Sequence, residues 1–234
     1  MNKENFFKKW FDKNPYENFD VIEAKKIRNS DNPYHALLRS NLQFFILDLN
    51  YDMENIVKEC LNVYNNFSKN IMNKDNSNKV YWQLIYGNPE EIHNHTMQNN
   101  TKQAVWLYEC SEFKKFQESF LLDERPIWLS IIEPGGKFDV HIDSGKGKVN
   151  LTKCRCSIRF PKKCKMVIEG VGGLSFDNGQ VFFFSHLKNY HGVPNFDNIS
   201  KIDVSFDFDI EKSNTLELLN MSIIDTIDNL LQRY

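Results

Sequence analysis

The chain has 234 residues, of which 41% are hydrophobic, 14% aromatic and 26% charged. This balance is typical of a folded domain rather than a disordered segment, and the length suffices for one well-packed core. The formal net charge of −2 lacks the basic excess that binding to nucleic acid or to an anionic membrane surface requires. A protein that binds nucleic acid or an anionic membrane surface is therefore not the first expectation.

The N-terminal half predicts mostly helices. Residues 1–30 fit one or two short amphipathic helices with their aromatic side chains on one side, and residues 52–72 fit a longer helix followed by a polar surface loop at 73–79. Val80–Tyr86 predicts a strand that ends at a Gly-Asn-Pro turn. Residues 110–122 predict a short helix with Ser111 as its N-cap.

From residue 126 the sequence pattern changes to short apolar runs separated by turn residues. This pattern predicts strands packed as a sandwich or barrel. The predicted strands are 127–133, 138–143, 152–160, 164–169, 179–185 and 201–210, and residues 212–234 return to helical spacing. The fold class is therefore mainly β with flanking helices. We expect one domain, with an N-terminal helical and β part (1–125), a β core (126–211) and a C-terminal helix (212–234).

Location and redox state follow from two further features. The charged N-terminus has no apolar signal-peptide stretch, and the most apolar short run, 44–47, is far too short to span a bilayer, so we expect a cytoplasmic protein. Five cysteines form no obvious disulfide framework and are expected to be reduced thiols. A zinc site at Cys154, Cys156 and Cys164 is the weaker interpretation, because no second CxxC pair accompanies it.

A candidate metal site lies in the second half of the chain. His141 and Asp143 are two positions apart on a predicted strand, so that both side chains point to the same side. Non-haem iron is commonly held by two histidines and one carboxylate on one face of the metal. His191, just beyond an apolar strand, is the candidate third ligand, and Lys201 begins the next predicted strand ten positions later.

The other four histidines are weighed as alternative metal ligands. His186, at the end of the run 181–185, competes with His191 for the third ligand position, although only His191 has the ten-residue offset to Lys201. His93 and His95 repeat the i, i+2 pattern without a strand signal, which favours a polar loop. His35 has no partner in the sequence around it.

The segment from about Ile127 to Ile210 resembles the aspartyl/asparaginyl β-hydroxylase family, including bacterial members that hydroxylate free amino acids such as proline. The resemblance covers a little over a third of the chain. It rests on the stretches SIIEPG at 130–135, HID at 141–143, CRCSIRF at 154–160, GQVFFF at 179–184, HGVPN at 191–195 and KIDVSFDF at 201–208.

The resemblance implies a double-stranded β-helix that holds Fe(II), with 2-oxoglutarate and O2 as cosubstrates. It implies His141, Asp143 and His191 as catalytic metal ligands. It places Lys201 where the family usually has an arginine that binds the far carboxylate of 2-oxoglutarate; lysine is a point charge rather than a planar fork, so the binding geometry should differ. Ser130 and Arg159 match further cosubstrate contacts, with Arg159 the next candidate anchor.

The substrate is expected to be a small amino-acid-like molecule or a residue in a peptide, with Trp82, Trp106 and Tyr108 as candidate lining residues; core packing explains each aromatic equally well. Oligomeric state stays open. Two other classes are weighed against the hydroxylase. A cupin-type metal enzyme would give no succinate from 2-oxoglutarate, and a catalytically silent binding module would not bind Fe(II) or Mn(II).

Overall fold

The computed structural model describes residues 3–17, 19–42, 44–66, 78–87, 105–123, 125–142, 153–184 and 189–233. The helices in these ranges are α1 (Lys3–Trp10), α2 (Val21–Arg28), α3 (Pro33–Arg39), α4 (Glu54–Asn66), α5 (Ser111–Phe120) and α6 (Thr215–Leu231). None of the described helices is long and apolar enough to cross a membrane.

Local capping explains where several helices begin. The Asp20 carboxylate accepts a hydrogen bond from the Glu23 amide at the start of α2. The predicted Ser111 cap of α5 is wrong, because Ser111 is already inside the helix. Glu59 of α4 provides the acceptors instead, bonding the amides of Glu112 and Phe113 at 2.9 Å each. Its negative charge also complements the positive end of the helix dipole.

Two antiparallel sheets form the β core. The strands are β1 (Phe44–Leu47), β2 (Val80–Gly87), β3 (Val105–Trp106), β4 (Ile127–Ile132), β5 (Lys137–His141), β6 (Lys153–Arg159), β7 (Met166–Ile168), β8 (Gly172–Leu174), β9 (Val181–Phe184), β10 (His191–Pro194) and β11 (Lys201–Asp207). The larger sheet has the order β1-β9-β6-β11-β4-β2-β3, and the smaller sheet has the order β5-β10-β7-β8.

The chain alternates between these sheets from β4 onward. β4, β6, β9 and β11 lie in the larger sheet, whereas β5, β7, β8 and β10 lie in the smaller one. This alternation of antiparallel strands is the double-stranded β-helix of jelly-roll and cupin folds. The expected fold class, mainly β with flanking helices, is confirmed.

The two faces of the larger sheet have different neighbours. The outer face is mainly apolar and packs against α2 to α6; its buried members include Leu129, Ile131, Cys156, Ile158, Ile202, Val204 and Phe206. The inner face turns toward the smaller sheet, where Val80, Ile132 and Phe182 share a cluster with Met166, Ile168 and Val193. Strand alternation therefore separates a structural face from an interior face.

Helix α1 covers the far side of the smaller sheet. Phe6 is buried with Val140 of β5 and Val167 of β7, and Phe7, Trp10 and Phe11 pack against this cluster, which confirms the predicted aromatic side of the helix. The contact with β10 is close. A Cβ atom added at Gly192 would lie 2.9 Å from Cζ of Phe7 and 3.0 Å from the Phe138 carbonyl oxygen, so only glycine fits there without displacement.

Most predicted elements are present, with shorter bounds. The helices over 52–72, 110–122 and 212–234 and all six predicted strands of the core are found. Helix α3 and strands β1, β3, β8 and β10 were not predicted, because each has eight residues or fewer and a weak periodicity. The greater part of the predicted loop 73–79 lies outside the described residues, and the single-domain organisation stays a prediction.

The five cysteines are free and buried, as expected for reduced thiols. Burial raises the pKa of every one of them, so the thiols are neutral. Cys154 and Cys156 belong to the apolar outer-face core, whereas Cys164 belongs to the cluster between the two sheets. The alternative zinc site therefore receives no support.

Candidate active site

Two histidines lie side by side in the smaller sheet. His191, the first residue of β10, is in direct register with His141, the last residue of β5. Their ring centroids are 4.4 Å apart, with an angle of 54° between the ring planes. His191 is buried and His141 is exposed, so the pair lies at the edge of the interior.

Strand alternation places both rings on the interior side of the smaller sheet. Val140 and Gly192, their immediate neighbours, face α1 on the other side. His191 is also in register with Ile168, which belongs to the cluster between the two sheets. Because residues in register share a face, the two imidazoles point toward the interior of the β-helix.

Backbone carbonyls orient both rings. Nδ1 of His141 lies 2.6 Å from the carbonyl oxygen of Asp139, and Nδ1 of His191 lies 3.2 Å from that of Asn189. A carbonyl only accepts, so each Nδ1 carries a proton, which in the neutral imidazole leaves the lone pair on Nε2. A second bond of this kind is what commonly orients a histidine that binds metal through its other nitrogen.

Two imidazoles alone do not complete a metal site. Among the described residues, no group of three His, Cys, Asp or Glu side chains could hold a metal ion. The predicted carboxylate ligand, Asp143, lies outside the described residues, as do the rival His186 and the histidines of the 93–95 pair. Asp143 therefore stays a prediction, whereas the structure brings His141 and His191 together.

The inner face of the larger sheet has a buried charge cluster. The Lys201 ammonium contacts Oδ2 of Asp203, and Nη1 of Arg155 lies 3.4 Å from the same oxygen. Lys201 and Asp203 are each about 1% exposed, whereas the Arg155 side chain is 22% exposed. Two cations thus share one carboxylate in the interior. We call Arg155, Lys201 and Asp203 the charge triad.

The triad shifts the ionisation of its members. Burial lowers the pKa of Lys201, although Asp203 opposes that effect. Burial alone would raise the pKa of Asp203, but the charges of Lys201 and Arg155 outweigh it and hold that pKa below its usual value. The Ser130 hydroxyl acts in the same direction. Asp203 is therefore an ionised carboxylate in the interior.

Several buried donors around the triad lack a partner within the described part of the chain. They are the Arg155 Nε, the Ser130 and Ser157 hydroxyls and the Trp128 Nε1, and one acceptor, Asp203 Oδ1, lacks a partner there as well. Register places Ser130 and Ser157 on either side of Asp203, and Trp128 and Arg155 on either side of Ser205. These residues form two neighbouring rows across β4, β11 and β6.

The structure separates the predicted cosubstrate residues. Ser130 and Lys201 lie on the inner face, in or beside the charge triad. Arg159 does not join them, since it is in register with the outer-face residue Ile202 after a bulge in β6. Its Nε donates to the Ser200 carbonyl at 2.8 Å, and its guanidinium lies 4.8 Å from the ring centre of Tyr64 in α4.

The predicted aromatic lining is divided in the same way. Trp82 is in register with Ser130 on the inner face, and its ring lies 5.5 Å from that of Phe138 in the smaller sheet. Trp106 packs instead against Tyr86 and Phe113 in the outer core. Tyr108 belongs to the same outer core. Only Trp82 among the three lies between the sheets.

Sequence reasoning missed Arg155, Ser157, Trp128 and Asp203. A signal was available in β6, where Arg155 and Ser157 alternate with Cys154, Cys156 and Ile158. The alternation itself could not tell whether the polar face met solvent or an interior.

Neither the scan against protein-family models nor the search of curated proteins gave a match. Solved structures are similar in fold. A 2OG-Fe(II) oxygenase family oxidoreductase from Burkholderia pseudomallei matches at 10% identity and a TM-score of 0.45, over 82% of this chain and 91% of that one.

Two further structures match at comparable levels. A Pseudomonas putida prolyl-4-hydroxylase has 9% identity and a TM-score of 0.46, over 72% of this chain and 92% of its own. A collagen prolyl hydroxylase of Paramecium bursaria Chlorella virus-1 has 10% identity and a TM-score of 0.42, over 72% and 96%. At these levels of identity the matches assign no function to this chain.

Proposed function

We propose that the protein is an Fe(II)- and 2-oxoglutarate-dependent dioxygenase that hydroxylates an amino acid or an amino-acid residue in a peptide, with succinate and CO2 as co-products. The observation that carries this proposal is the pair of interior imidazoles, 4.4 Å apart, each with its Nδ1 on a backbone carbonyl. This arrangement fits two nitrogen ligands of one metal ion.

The residues that would hold the metal are His141 and His191 through Nε2, with Asp143 as the proposed carboxylate ligand. Bound iron, with 2-oxoglutarate and O2, would supply the oxidising power for hydroxylating an unactivated C–H bond. The protein's own part is orientation. The Asp139 and Asn189 carbonyls fix the imidazole tautomers, and α1 supports the strand of His191 from behind.

The charge triad is the proposed binding region for carboxylates. Its two cations and one carboxylate leave one net positive charge in a nearly dry interior, which favours an anionic ligand. Ser130 lies beside it as a further hydrogen-bonding group. Because Lys201 is already paired with Asp203, it is not a free anchor of the kind that the sequence resemblance implies.

The substrate side of the site is proposed to include Trp82. Its ring and that of Phe138 meet between the two sheets and reduce the access of water to that part of the interior. Membership of the aspartyl/asparaginyl type rests on the resemblance of residues 130–208, and we keep it as part of the proposal. An amino-acid-like substrate is consistent with an interior that holds excess positive charge.

The proposal is tested by measuring succinate formed from 2-oxoglutarate with Fe(II), across a panel of amino acids and peptides. We expect His141→Ala and His191→Ala to lower turnover by about 100-fold or more, since each removes a metal ligand that also fixes the geometry of the reaction. The matched control is His35→Ala, because His35 lies on α3 against Tyr34, away from the pair.

Mn(II) binding provides the second readout. Loss of metal binding in both site variants, with wild-type binding in His35→Ala, supports the site independently of substrate identity. Full turnover in His141→Ala would reject it. Metal binding without succinate formation would favour the cupin-type enzyme, and no metal binding in the wild type would favour the silent module.

A further inference from the structure

The charge triad leaves one cation without a full partner. Lys201 is about 1% exposed and in close contact with Asp203 Oδ2, so its charge is compensated where it lies. Arg155 shares that oxygen only at 3.4 Å, through a single Nη1 atom. A guanidinium has five N–H donors in a planar fork, and the Arg155 Nε is buried with no acceptor in the described part of the chain. Arg155 therefore has donors to spare.

Two neighbouring side chains also have buried donors without a partner among the described residues. The Trp128 Nε1 can only donate, and the Ser157 hydroxyl can donate. Ser157 lies two positions along β6 from Arg155, hence on the same face, and Trp128 lies across Ser205 from it. One acceptor, Asp203 Oδ1, is also without a partner in the described part of the chain and lies in the row between Ser130 and Ser157. The donors outnumber it and the cluster keeps one net positive charge, so a further acceptor with one negative charge fits there.

A carboxylate is the ligand that meets these requirements. It has one charge and two oxygens, which match the fork of an arginine. A phosphate dianion would bring a second charge that the cluster does not balance, because Asp203 neutralises Lys201. Arg155 is also the most exposed member of the triad, with 22% of its side chain accessible, so an incoming ligand can reach it.

We propose that Arg155, rather than Lys201 or Arg159, is the carboxylate anchor of the interior, with Ser157 and Trp128 as its companion donors. Lys201 and Asp203 form a neutral pair that holds the anchor in place. The proposal rests on the proposed function only for the source of the carboxylate, which is either the far end of 2-oxoglutarate or the carboxylate of an amino-acid substrate. Both sources have the same chemistry.

The test is calorimetric titration of 2-oxoglutarate into the full chain loaded with Mn(II). We expect Arg155→Leu to weaken binding about 10- to 100-fold, the usual loss for a charge-assisted bond at a partly desolvated site. Arg159→Leu is the matched control, because it removes an arginine from the same strand whose guanidinium faces α4; its affinity should stay within about twofold. Arg155→Lys should give an intermediate loss and guards against misfolding.

A second arm separates the two sources. The melting temperature is measured with proline and with prolinamide, which lacks the carboxylate, and likewise for other amino acids. If Arg155→Leu leaves 2-oxoglutarate affinity unchanged but abolishes the preference for the acid over the amide, the anchored carboxylate belongs to the substrate. If folded Arg155→Leu and Arg155→Lys change neither readout, the assignment of Arg155 is overturned.

Failure of the proposed function is distinguishable from failure of this inference. Glutarate titrated into the metal-free chain probes the carboxylate site without iron. Arg155-dependent glutarate binding in a protein that binds no Mn(II) and forms no succinate would support the anchor while rejecting the oxygenase. Normal succinate formation with Arg155-independent binding of every carboxylate would do the reverse.

Discussion

The two faces of the larger sheet are made by the same strands and yet serve opposite purposes. On the outer face, Ile202, Val204 and Phe206 of β11 are buried in the apolar cluster that packs against the helices. On the inner face of the same strand, Lys201 and Asp203 are equally buried but charged. Burial by itself therefore does not identify a structural core in this protein; the polarity of the buried face does.

The difference has an energetic meaning. Apolar burial contributes about 25 cal/mol per Å², so the outer face stabilises the fold wherever it is well packed. A buried ion pair contributes little or nothing beyond its desolvation cost, and unpaired donors add a penalty. The inner face is thus expected to be nearly neutral or costly for stability, which is the pattern of a surface retained for binding.

The largest expected effect lies on the outer face. The ring of Phe206 packs against those of Phe113, Phe116 and Phe208 and is almost fully buried. Phe206→Ala should lower the free energy of unfolding by about 3–5 kcal/mol, measured by urea denaturation. Phe196→Ala, at a ring that is 60% exposed, is the control and should change it by about 0.5 kcal/mol or less. Equal losses of unfolding free energy in the two variants would contradict the role of the outer face as a structural core.

A sharper comparison uses two adjacent residues of β6. Cys156→Ser places a hydroxyl in the apolar outer core and should cost about 1–3 kcal/mol of unfolding free energy. Ser157→Ala removes an inner-face hydroxyl that has no acceptor or donor in the described structure, so the change should be close to zero or slightly stabilising. Denaturation of both variants side by side checks the prediction. A large loss in Ser157→Ala would mean that the inner face is structural.

The smallest effect concerns acid stability. The Asp203 pKa in the folded state is below its usual 3.8, so its contribution to stability is complete above pH 3.8. That contribution is lost as the pH falls from 3.8 through the folded-state pKa. In Asp203→Asn, the slope of unfolding free energy against pH in this acid range should decrease by up to one proton, about 1.4 kcal/mol per pH unit. An unchanged slope would show that Asp203 does not titrate as an ionised interior carboxylate.

Much of this arrangement could be predicted from the sequence. Strong periodicity predicted α4, α5, α6 and the six main strands of the core, and the resemblance implied the double-stranded β-helix. His141 and His191 were predicted fifty positions apart and are now seen in direct register. His141 was placed by the pattern of a predicted strand, whereas His191 was chosen by its ten-residue offset from Lys201, because β10 itself was not predicted.

The features of the site that the sequence did not predict depend on long-range packing. Arg159 and Arg155 are four positions apart on one strand, and the bulge opposite Ile202 and Asp203 decides which of them faces inward. A bulge has no period, so the sequence could not show that Arg155, and not Arg159, lies beside the charge triad. Lys201 was predicted as a free anchor because its partner Asp203 looked like one more polar residue in an alternating strand. Trp106 and Trp82 likewise differ only in the face that their strands present.

The fit of α1 against β10 has a consequence for the history of the chain. Gly192 adjoins the candidate metal ligand His191, and the space for its side chain is filled by Phe7 and by the Phe138 carbonyl. Selection on metal binding would therefore extend to the first ten residues, far from His191 in sequence. Among homologues, the helix and the glycine should be inherited or lost together, and a substitution at one without the other should mark a lineage that has abandoned the site.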